Sequence, residues 1–322
     1  MASPGACSPK LKAADLTGKV AIITGATRGI GRKCAIALAK QGCNIVIAAK
    51  STTEQPNLPG SIYTVADEIT KLGVQALPVM VDMRKLETIE ECVRVTTEKF
   101  GRIDILINNA SALWWHRIEG TPMNKYDLIT QINARGSFAM ANLCLPVMAK
   151  GGFGRVICMS PPIQNDYRAF GGFTAYNISK FGMTMVAMGA AAEYEGKGIT
   201  GHSLWPATVI ESQASKNFEM GSTDMWRKAD ILADAVLGLV SAPDTFTGRQ
   251  LIDDEYLMEE HGFTEEDLAV YRFNPEVEPP RALAPGEGFH MGGGGGSNFN
   301  RGDVRKLKDD QKKDNAGMFS KL

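Results

Sequence analysis

Two residues of this sequence have types and a spacing suited to proton transfer at a carbon–oxygen bond. Tyr176 and Lys180 are four residues apart at the start of a predicted helix, so their side chains share one face, one turn apart. A tyrosine, with an ordinary pKa of about 10, can act as a base at neutral pH only when a positive charge lowers that value. A Tyr-x-x-x-Lys pair also occurs by chance on surfaces, so the rest of the chain must support it.

Three glycines follow the first apolar run, in the order strand, turn and helix. Gly25 permits a tight turn, Gly29 lets the backbone approach a pyrophosphate, and Gly31 allows the helix to pack closely on the strand. The N-terminus of that helix would then face the phosphates. A glycine cluster alone is equally compatible with an ordinary turn. Its position between a strand and a helix favours a dinucleotide site.

The end of the second predicted strand indicates which dinucleotide binds. The strand ends without a carboxylate, which would grip a ribose 2′-hydroxyl and repel a 2′-phosphate. Arg28, in the glycine turn, and Lys50 offer two cations to a phosphate instead. The sequence therefore predicts NADP(H) as the cofactor. The alternative is that both cations are only solvated surface charges.

The elements that must position these residues alternate along the chain. Short Val- and Ile-rich runs alternate with longer helical patterns, which predicts an α/β fold with a doubly wound parallel (Rossmann) sheet. We predict strands near 19–25, 44–50, 76–82, 103–108, 153–160, 199–205 and 248–252. We predict helices near 30–41, 61–72, 85–99, 123–149, 176–195 and 225–241. Together they form a single domain over 16–274.

The two ends differ in composition from this domain. We expect a flexible N-terminus over 1–15 and a flexible, disordered tail over 275–322, which is rich in Pro and Gly and then in charged residues. Residues 281–322 carry a net charge of +3 and residues 1–280 carry −4. The last three residues, Ser320-Lys321-Leu322, match the tripeptide that the peroxisomal import receptor reads. We therefore expect the protein in the peroxisome, with that receptor as a partner.

Composition excludes several other classes of protein. The net charge of −1 gives no basic surface for nucleic acid, and no apolar run approaches the roughly 20 residues that span a bilayer. The six cysteines form no C-x-x-C pair and resemble reduced core thiols. The four histidines have no metal-ligand spacing, so we expect no metal site. No secretory signal is expected in 1–15.

Five motifs in order resemble the short-chain dehydrogenase/reductase family. They are TGATRGIG at 24–31, Asn108-Asn109-Ala110, Asn133 in a long helix, Ser160 after the fifth strand, and YNISK at 176–180. Each is weak singly, but the ordered set is specific and covers roughly 16–255. The resemblance implies that Tyr176 is the general acid/base and that Lys180 lowers its pKa and holds the nicotinamide ribose. Ser160 would orient the substrate oxygen and Asn133 would support a water relay to Lys180.

The resemblance also implies contacts to the cofactor. Asp82, closing the third strand, would contact the adenine, although it could instead cap the following helix. Asn109 would line the cleft, and Val209 would bind the carboxamide. The full set of expected cofactor contacts is Gly25, Thr27, Arg28, Gly29, Ile30, Gly31, Lys50, Asp82, Asn109, Tyr176, Lys180, Pro206 and Val209.

Two departures from the family pattern concern the substrate side. Ser160 lies 16 residues before Tyr176, farther than is usual in the family, and Pro161-Pro162 follows it. The usual Pro-Gly after the sixth strand is Pro206-Ala207 here. A narrower branch, the hydroxysteroid dehydrogenase-like and citronellol/citronellal dehydrogenase-like proteins, is resembled in four features: Ser160-Pro161-Pro162, the long loop after Lys50, the run Leu204-Trp205-Pro206, and Thr247-Gly248 ahead of 251–255.

Aromatic side chains come from segments that should approach the substrate. Five rings suggest an apolar pocket, and ordinary core packing is the alternative for each: Trp114, Trp115, Phe170, Phe173 and Trp205. Met183, Met185 and Met188 suggest a core or a subunit interface.

The sequence predicts an NADP-dependent oxidoreductase that interconverts an alcohol and its carbonyl on an apolar, lipid-like small molecule. The alternatives are reduction of an enoyl thioester of coenzyme A and a non-catalytic lipid-binding scaffold with the same fold. The family also suggests a homo-oligomer.

Overall fold

The computed structural model describes residues 10–54, 59–217 and 220–284. Its strands are β1 Val20–Thr24, β2 Asn44–Ala49, β3 Ala76–Met80, β4 Ile105–Asn108, β5 Gly154–Met159, β6 Ile199–Trp205, β7 Val209–Ile210, β8 Trp226–Arg227 and β9 Arg249–Ile252. Its helices are α1 Gly29–Lys40, α2 Ile62–Thr70, α3 Leu86–Phe100, α4 Met123–Thr130, α5 Gly136–Gly151, α6 Thr174–Glu193, α7 Gln213–Asn217, α8 Asp230–Ser241, α9 Asp253–His261 and α10 Glu265–Leu268.

Seven strands form one parallel sheet in the order β3-β2-β1-β4-β5-β6-β9. Ile23 of β1 pairs with Ile47 of β2 on one side and with Ile107 of β4 on the other. The chain reverses its direction of winding between β1 and β4, so the crevice at their carboxyl ends is the expected ligand site of such a sheet. The predicted doubly wound parallel sheet is confirmed.

The core lies on both faces of the sheet. Along β1, Ala21 and Ile23 face one apolar cluster with α1 and α8, while Val20 and Ile22 face a second cluster with α3 and α5. Successive strand residues point to opposite faces, so a strand covered on both sides is apolar throughout. This burial explains why the strands stand out as continuous apolar runs in the sequence.

The long helix predicted over 123–149 is interrupted by a π-helical turn. Helix α4 continues into a π turn at Gln131–Arg135 and then into α5. A π turn inserts one extra residue into the helical repeat and is frequent at functional sites. Asn133 lies in this turn and is fully buried.

The helix predicted to begin near residue 225 begins later. Trp226 and Arg227 form β8, which pairs in parallel with β7 in a separate two-stranded sheet. Helix α8 therefore starts at Asp230. The small sheet fixes the backbone that follows β6, on the substrate side of the domain.

Residues 10–15, predicted as part of a flexible end, contact the domain. Leu11 is fully buried, and the backbone nitrogen of Ala14 donates to Ser241 Oγ at 2.8 Å. The Lys10 ammonium pairs with Asp267 at 2.5 Å. The ordered domain thus begins before residue 16.

Residues 275–284, predicted as the start of the tail, also lie on the domain, and we call them the C-terminal strap. Leu283 donates its backbone N–H to the Ala207 carbonyl at 2.8 Å, and Trp205 Nε1 donates to the Leu283 carbonyl at 3.2 Å. Composition alone missed this segment because these two hydrogen bonds are to residues distant in the chain.

Ion pairs hold the strap in place. The carboxylate of Asp254, buried at the start of α9, binds Arg227 at 3.0 Å and Arg281 at 2.9 Å. Glu278 of the strap binds the second Arg227 nitrogen at 2.7 Å and Arg272 at 2.6 Å. We call these five residues the Asp254 ion cluster.

Other predictions fall on residues outside the described part of the chain. They concern 1–9, the tail from 285 onward and the terminal Ser320-Lys321-Leu322. Among the residues that the structure describes, no helix has the length and apolar character needed to cross a membrane.

Candidate active site

The glycine turn is shaped by close contacts that admit no larger side chain. Gly25 has a φ of +68°, a left-handed conformation that favours glycine. A Cβ on Gly31 would lie 2.5 Å from the Asn109 amide nitrogen and 2.6 Å from the Gly25 carbonyl oxygen. Helix α1 therefore packs directly on the turn, as the sequence predicted.

The N-terminus of α1 is open to an anionic ligand. The residue at its N-cap is Arg28, whose side chain cannot accept a hydrogen bond, and its first turn contains no acidic residue. The first backbone N–H groups of a helix need an acceptor, and the helix dipole favours a negative one there. These features fit a pyrophosphate, and the turn can hold one.

The Asn109 side chain ties the end of β4 to the glycine turn. Its amide nitrogen donates to the Thr24 carbonyl at 2.8 Å, and the Thr24 hydroxyl accepts from the backbone nitrogens of Asn109 and Ala110, each at 2.9 Å. These hydrogen bonds close the crossover point between β1 and β4.

A cleft of about 490 Å³ runs along this edge of the sheet. Eight of the residues predicted to contact the cofactor line it: Gly25, Thr27, Arg28, Gly29, Ile30, Lys50, Asp82 and Asn109. The lining also includes Ser111 and Leu113, beyond the end of β4, and Ser212 and Gln213. The cleft is large and polar enough at one end to fit the dinucleotide.

Three charged side chains meet near the end of β2. Arg84 binds both oxygens of the Asp82 carboxylate, at 2.5 and 2.9 Å, and holds its pKa down at about 2. Lys50 lies 3.8 Å from the same carboxylate and is 70% exposed. Asp82 also accepts from the Arg84 backbone nitrogen just before α3, so part of its role is the predicted alternative of shaping the helix start. Sequence reasoning missed Arg84.

Arg28 serves the loop after β2 as well as the turn. Its guanidinium donates to Ser51 Oγ at 2.8 Å and to the carbonyl oxygens of Pro59 and Gly60 at 3.1 and 3.2 Å. The cation is therefore fixed beside the adenosine end of the cleft rather than free in solvent.

Tyr176 and Lys180 lie together near the start of α6. Lys180 Nζ is 5.9 Å from the centroid of the Tyr176 ring, and both side chains are only 3% exposed. Burial raises the pKa of Tyr176, because apolar surroundings disfavour the phenolate. In the protein by itself, the rise in the Tyr176 pKa that burial causes therefore outweighs the decrease that the sequence analysis expected from Lys180.

Few interactions stabilise the charged form of the Lys180 side chain. Its ammonium donates to the Met159 carbonyl at 2.8 Å and lies 3.7 Å from the Met183 sulfur. Burial lowers the pKa of Lys180 to about 7. A lysine in this state can release and regain a proton near neutral pH.

Asn133 uses its whole amide to join two segments. Its oxygen accepts from the Ala112 backbone nitrogen at 2.8 Å, and its nitrogen donates to the Ala112 carbonyl at 3.0 Å and to Ser179 Oγ at 2.9 Å. Ser179 in turn donates to the Tyr176 carbonyl at 2.7 Å. The π turn thus fixes the loop after β4 relative to the helix that carries Tyr176.

Ser160 lies at the end of β5, against α6. Its side chain is fully buried, and its hydroxyl lies 2.9 Å from Thr184 Oγ1 on α6 and 3.4 Å from the Cys158 carbonyl. Thr184 also donates to the Pro161 carbonyl at 2.7 Å. The proline pair and Thr184 together hold this turn against α6, and neither contact has a signature in the sequence.

Aromatic and aliphatic side chains surround Tyr176. Trp115 meets the Tyr176 ring edge-on at 6.1 Å and Phe173 at 5.5 Å, and Trp205 belongs to the same cluster. Leu283 and Ala284 of the strap join it. Phe170 instead packs on Phe181, and Trp114 stacks on His116, so only three of the five predicted rings line the site.

The segment after β6 is ordered by a buried carboxylate. Asp253 accepts from the Ala207 backbone nitrogen at 2.8 Å, and Val209 pairs with Trp226. Pro206 and Val209 are both buried. Neither residue belongs to the lining of the 490 Å³ cleft.

Among the described residues, this site contains neither a disulfide nor a cluster of metal ligands. The five cysteines within the described ranges are buried and free of disulfides. No group of three or more His, Cys, Asp or Glu side chains suited to a metal ion occurs among residues 10–54, 59–217 and 220–284.

The sequence of this domain matches known proteins. Residues 19–221 match the family model described as short chain dehydrogenase. Hydroxysteroid dehydrogenase-like protein 2 of Xenopus tropicalis is 42% identical over 264 residues, which are 80% of this chain and 62% of that protein. The Homo sapiens protein of the same name is 40% identical over 261 residues, 81% of this chain and 62% of its own length. The chain therefore spans less than two thirds of the length of these relatives.

Solved structures share the same architecture. A short chain dehydrogenase from Mycobacterium thermoresistibile is 36% identical, covers 86% of this chain and all of its own, and superposes with a TM-score of 0.78. Carveol dehydrogenase from Mycobacterium avium, solved in complex with NAD, has a TM-score of 0.65 over 74% of this chain, with 24% identity, and shows the fold alone. The matched sequence, the sheet order and the glycine turn agree: this chain belongs to the short chain dehydrogenase family.

Proposed function

We propose that the protein is an NADP(H)-dependent oxidoreductase that interconverts an alcohol and its carbonyl on an apolar, lipid-like substrate. The observation that carries the proposal is a buried Tyr176, close to Lys180 and walled by Trp115, Phe173 and Trp205. A polar phenol within apolar walls suits a substrate that has one reacting oxygen on a hydrocarbon body.

The residues of the site divide the proton chemistry between them. When bound, the nicotinamide supplies or accepts the hydride. During carbonyl reduction the Tyr176 O–H bond breaks as a new O–H bond forms on the substrate oxygen. Lys180, with a pKa of about 7, can then supply a proton to the Tyr176 phenolate. The aromatic walls exclude water, which keeps the proton transfer between these groups.

The test combines a substrate screen with one variant. NADPH oxidation is measured against medium-chain and isoprenoid aldehydes, ketones and enoyl-CoA thioesters, and NADP⁺ reduction against the matching alcohols. Tyr176→Phe keeps the ring and removes the proton donor, so kcat should fall by about 10² to 10⁴. Tyr167→Phe, at a tyrosine that is 81% exposed, is the matched control and should retain activity.

The outcome also separates the alternatives. Turnover of enoyl thioesters only, with Tyr176→Phe near the wild-type rate, would favour enoyl reduction. Binding of lipid with no turnover of any compound would favour a scaffold. Either result would contradict the alcohol–carbonyl proposal.

The preference for NADP(H) is supported by charge at the adenosine end of the cleft. Lys50 follows β2, Arg28 is fixed nearby by Ser51, and the only carboxylate described at the end of β3, that of Asp82, is bound by Arg84. A 2′-phosphate there meets cations instead of a bare carboxylate. Dissociation constants for NADP⁺ and NAD⁺ test this, and equal or tighter NAD⁺ binding would contradict it.

A homo-oligomer is the second part of the proposal. Phe138 of α5 and Met185 of α6 are 60% and 64% exposed and line a shared surface cavity of about 610 Å³. Exposed apolar residues on two adjacent helices favour burial against a second copy. Sedimentation velocity should show a dimer or larger species, and Met185→Glu should weaken it. A monomer at all concentrations would contradict this assignment.

Peroxisomal import is supported only by the terminal Ser320-Lys321-Leu322. A fluorescent fusion lacking these three residues should remain outside peroxisomes and keep full activity. Deletion of Arg301-Gly302-Asp303 is the control of equal length and should not alter import. Import of the truncated protein in cells without a full-length partner would contradict the proposal.

A further inference from the structure

Arg84 follows the third strand, beside the cofactor cleft, and belongs to none of the five motifs in the sequence. Its guanidinium binds both oxygens of Asp82, which lines the cleft together with Lys50. We propose that Arg84 is a positioning residue for cofactor selection: by occupying Asp82, it keeps Lys50 available to the 2′-phosphate of NADP(H). This inference rests on the proposed function, because it concerns the proposed preference for NADP(H).

The register of the sheet places Asp82 beside Lys50. Strands β2 and β3 are parallel, with Ala49 opposite Met80, and Val81 donates its backbone N–H to the Ala49 carbonyl at 3.1 Å. Lys50 therefore leaves β2 at the level at which the chain leaves β3 toward Asp82. In a sheet of this type the end of β2 faces the ribose that carries the 2′ group. A carboxylate thus lies next to the cation that would contact a 2′-phosphate.

Asp82 can compete with a phosphate for Lys50. The Lys50 ammonium lies 3.8 Å from an Asp82 oxygen, which is an ion-pair distance but longer than a hydrogen bond. The Lys50 side chain is 70% exposed, so a small reorientation would bring it onto the carboxylate. Even an unperturbed aspartate, with a pKa of about 3.9, is charged at neutral pH. Lys50 bound in this way would be withdrawn from the ligand.

Arg84 prevents this competition by binding the carboxylate itself. Its Nε donates to one Asp82 oxygen at 2.9 Å, and a terminal nitrogen donates to the other oxygen at 2.5 Å. A guanidinium that binds a carboxylate at two points is held more rigidly than an ammonium, which acts as a point charge. The Arg84 contact compensates the charge of Asp82 and leaves Lys50 beyond hydrogen-bond distance. Lys50 is then available to an anion in the cleft.

The Asp82 carboxylate would keep its position without the Arg84 side chain. The Asp82 backbone nitrogen donates to Thr88 Oγ1 at 3.1 Å, and Thr88 Oγ1 donates to the Asp82 carbonyl at 3.0 Å. The Arg84 backbone nitrogen also donates to the Asp82 side chain at 3.1 Å, and an alanine at this position can keep that bond. A substitution of Arg84 therefore changes the partner of the carboxylate and not its place.

The experiment measures the binding of two adenosine nucleotides to the full-length protein and does not require turnover. Adenosine 2′,5′-bisphosphate carries the 2′-phosphate and 5′-AMP lacks it, so the ratio of their dissociation constants reports on that phosphate. Arg84→Ala should lower the preference for the bisphosphate about three- to fivefold, close to the effect of Lys50→Ala, because Lys50 then pairs with Asp82. Arg84→Lys keeps a cation at Asp82 and should restore most of the preference.

Two double variants distinguish this indirect role from a direct contact between Arg84 and the phosphate. With Asp82→Asn or Lys50→Ala already present, Arg84→Ala should change the preference by less than about twofold, because the competition no longer exists. A direct contact predicts the same loss in all three backgrounds, and that result would overturn the proposal. An unchanged preference in Arg84→Ala alone would also overturn it.

The matched control is Arg94→Ala. Arg94, on α3, pairs with Glu91 and Glu98 and is not among the residues that line the cleft. Its removal changes the net charge equally and should leave the preference unaltered, whereas a loss as large as that of Arg84→Ala would indicate a general charge effect and contradict the proposal. If the wild-type protein binds both nucleotides equally, the preference for NADP(H) is wrong and this inference falls with it. A wild-type preference that survives Arg84→Ala contradicts only the role of Arg84.

Discussion

The cofactor side and the substrate side of the cleft are built in different ways. On the cofactor side, Gly25 and Asn109 directly follow β1 and β4, and Asp82 lies two residues after β3. Their places therefore depend on the order of elements in one parallel sheet. On the substrate side, Tyr176 is covered by Trp115 and by the C-terminal strap, which reach it from distant parts of the chain. The cofactor side is formed by residues within or next to their sequence motifs, whereas the substrate side is formed by contacts between residues distant in the chain. We therefore expect a substitution on one side to alter the binding of that side's ligand and to leave the other ligand's binding nearly unchanged.

The largest expected effect comes from breaking the Asp254 ion cluster with Asp254→Asn. Arg227 is buried and would keep only Glu278 of its two carboxylate partners, and removing one member of a buried pair costs up to about 3 to 5 kcal/mol. Chemical unfolding should show this loss. KM for substrate should rise while the affinity for the cofactor, measured on the folded protein, changes little.

The control for this variant is Glu278→Gln. Glu278 is about half exposed, and exposed ion pairs contribute about 0 to 1 kcal/mol. If the strap contacts only the substrate side, Asp254→Asn raises KM for the substrate without weakening cofactor binding. If Asp254→Asn weakened cofactor binding as strongly as it raised KM, the two sides would not be independent.

The next effect is expected on the cofactor side with Gly31→Ala. Its Cβ would meet the Asn109 amide and the Gly25 carbonyl, and overpacking of this kind costs about 1 to 3 kcal/mol. Cofactor affinity should fall with stability, because the turn must open to relieve the contact. Gly151→Ala, at the end of α5 with no atom near its Cβ, is the matched control and should leave affinity unchanged.

The smallest effect is expected from Lys50→Ala. Lys50 is mostly exposed, so its loss should weaken NADP⁺ binding by about 1 kcal/mol or less, roughly fivefold, with NAD⁺ binding unaffected. Arg28→Ala should have a larger effect on both cofactors, because Arg28 also holds Ser51 and Gly60 in the loop after β2. Isothermal titration with both dinucleotides distinguishes the charge from the loop. Equal losses for both cofactors in Lys50→Ala would remove Lys50 from the 2′-phosphate site.

The sequence predicted most of the fold and the cofactor side because both depend on local patterns. Strands buried on two faces are continuous apolar runs, as in β1 and β2. The glycine turn is recognisable because its three glycines occupy fixed positions between β1 and α1. The Tyr176 and Lys180 pair follows from helical spacing alone.

Sequence reasoning did not predict the features that depend on tertiary contacts. The hydrogen bond of Ser160 with Thr184, 24 residues later, and the contacts of the strap with Ala207 and Asp254 join residues that are distant in the chain. The π turn at 131–135, which contains Asn133, was predicted as part of one continuous helix. The catalytic role assigned to Ser160 stays a prediction.

The strap also determines where the described part of the chain ends. Ala284, the last residue that the structure describes, is buried in the apolar cluster that contains Tyr176. A group joined directly to Ala284 would therefore be held at high local concentration on the substrate side of the site.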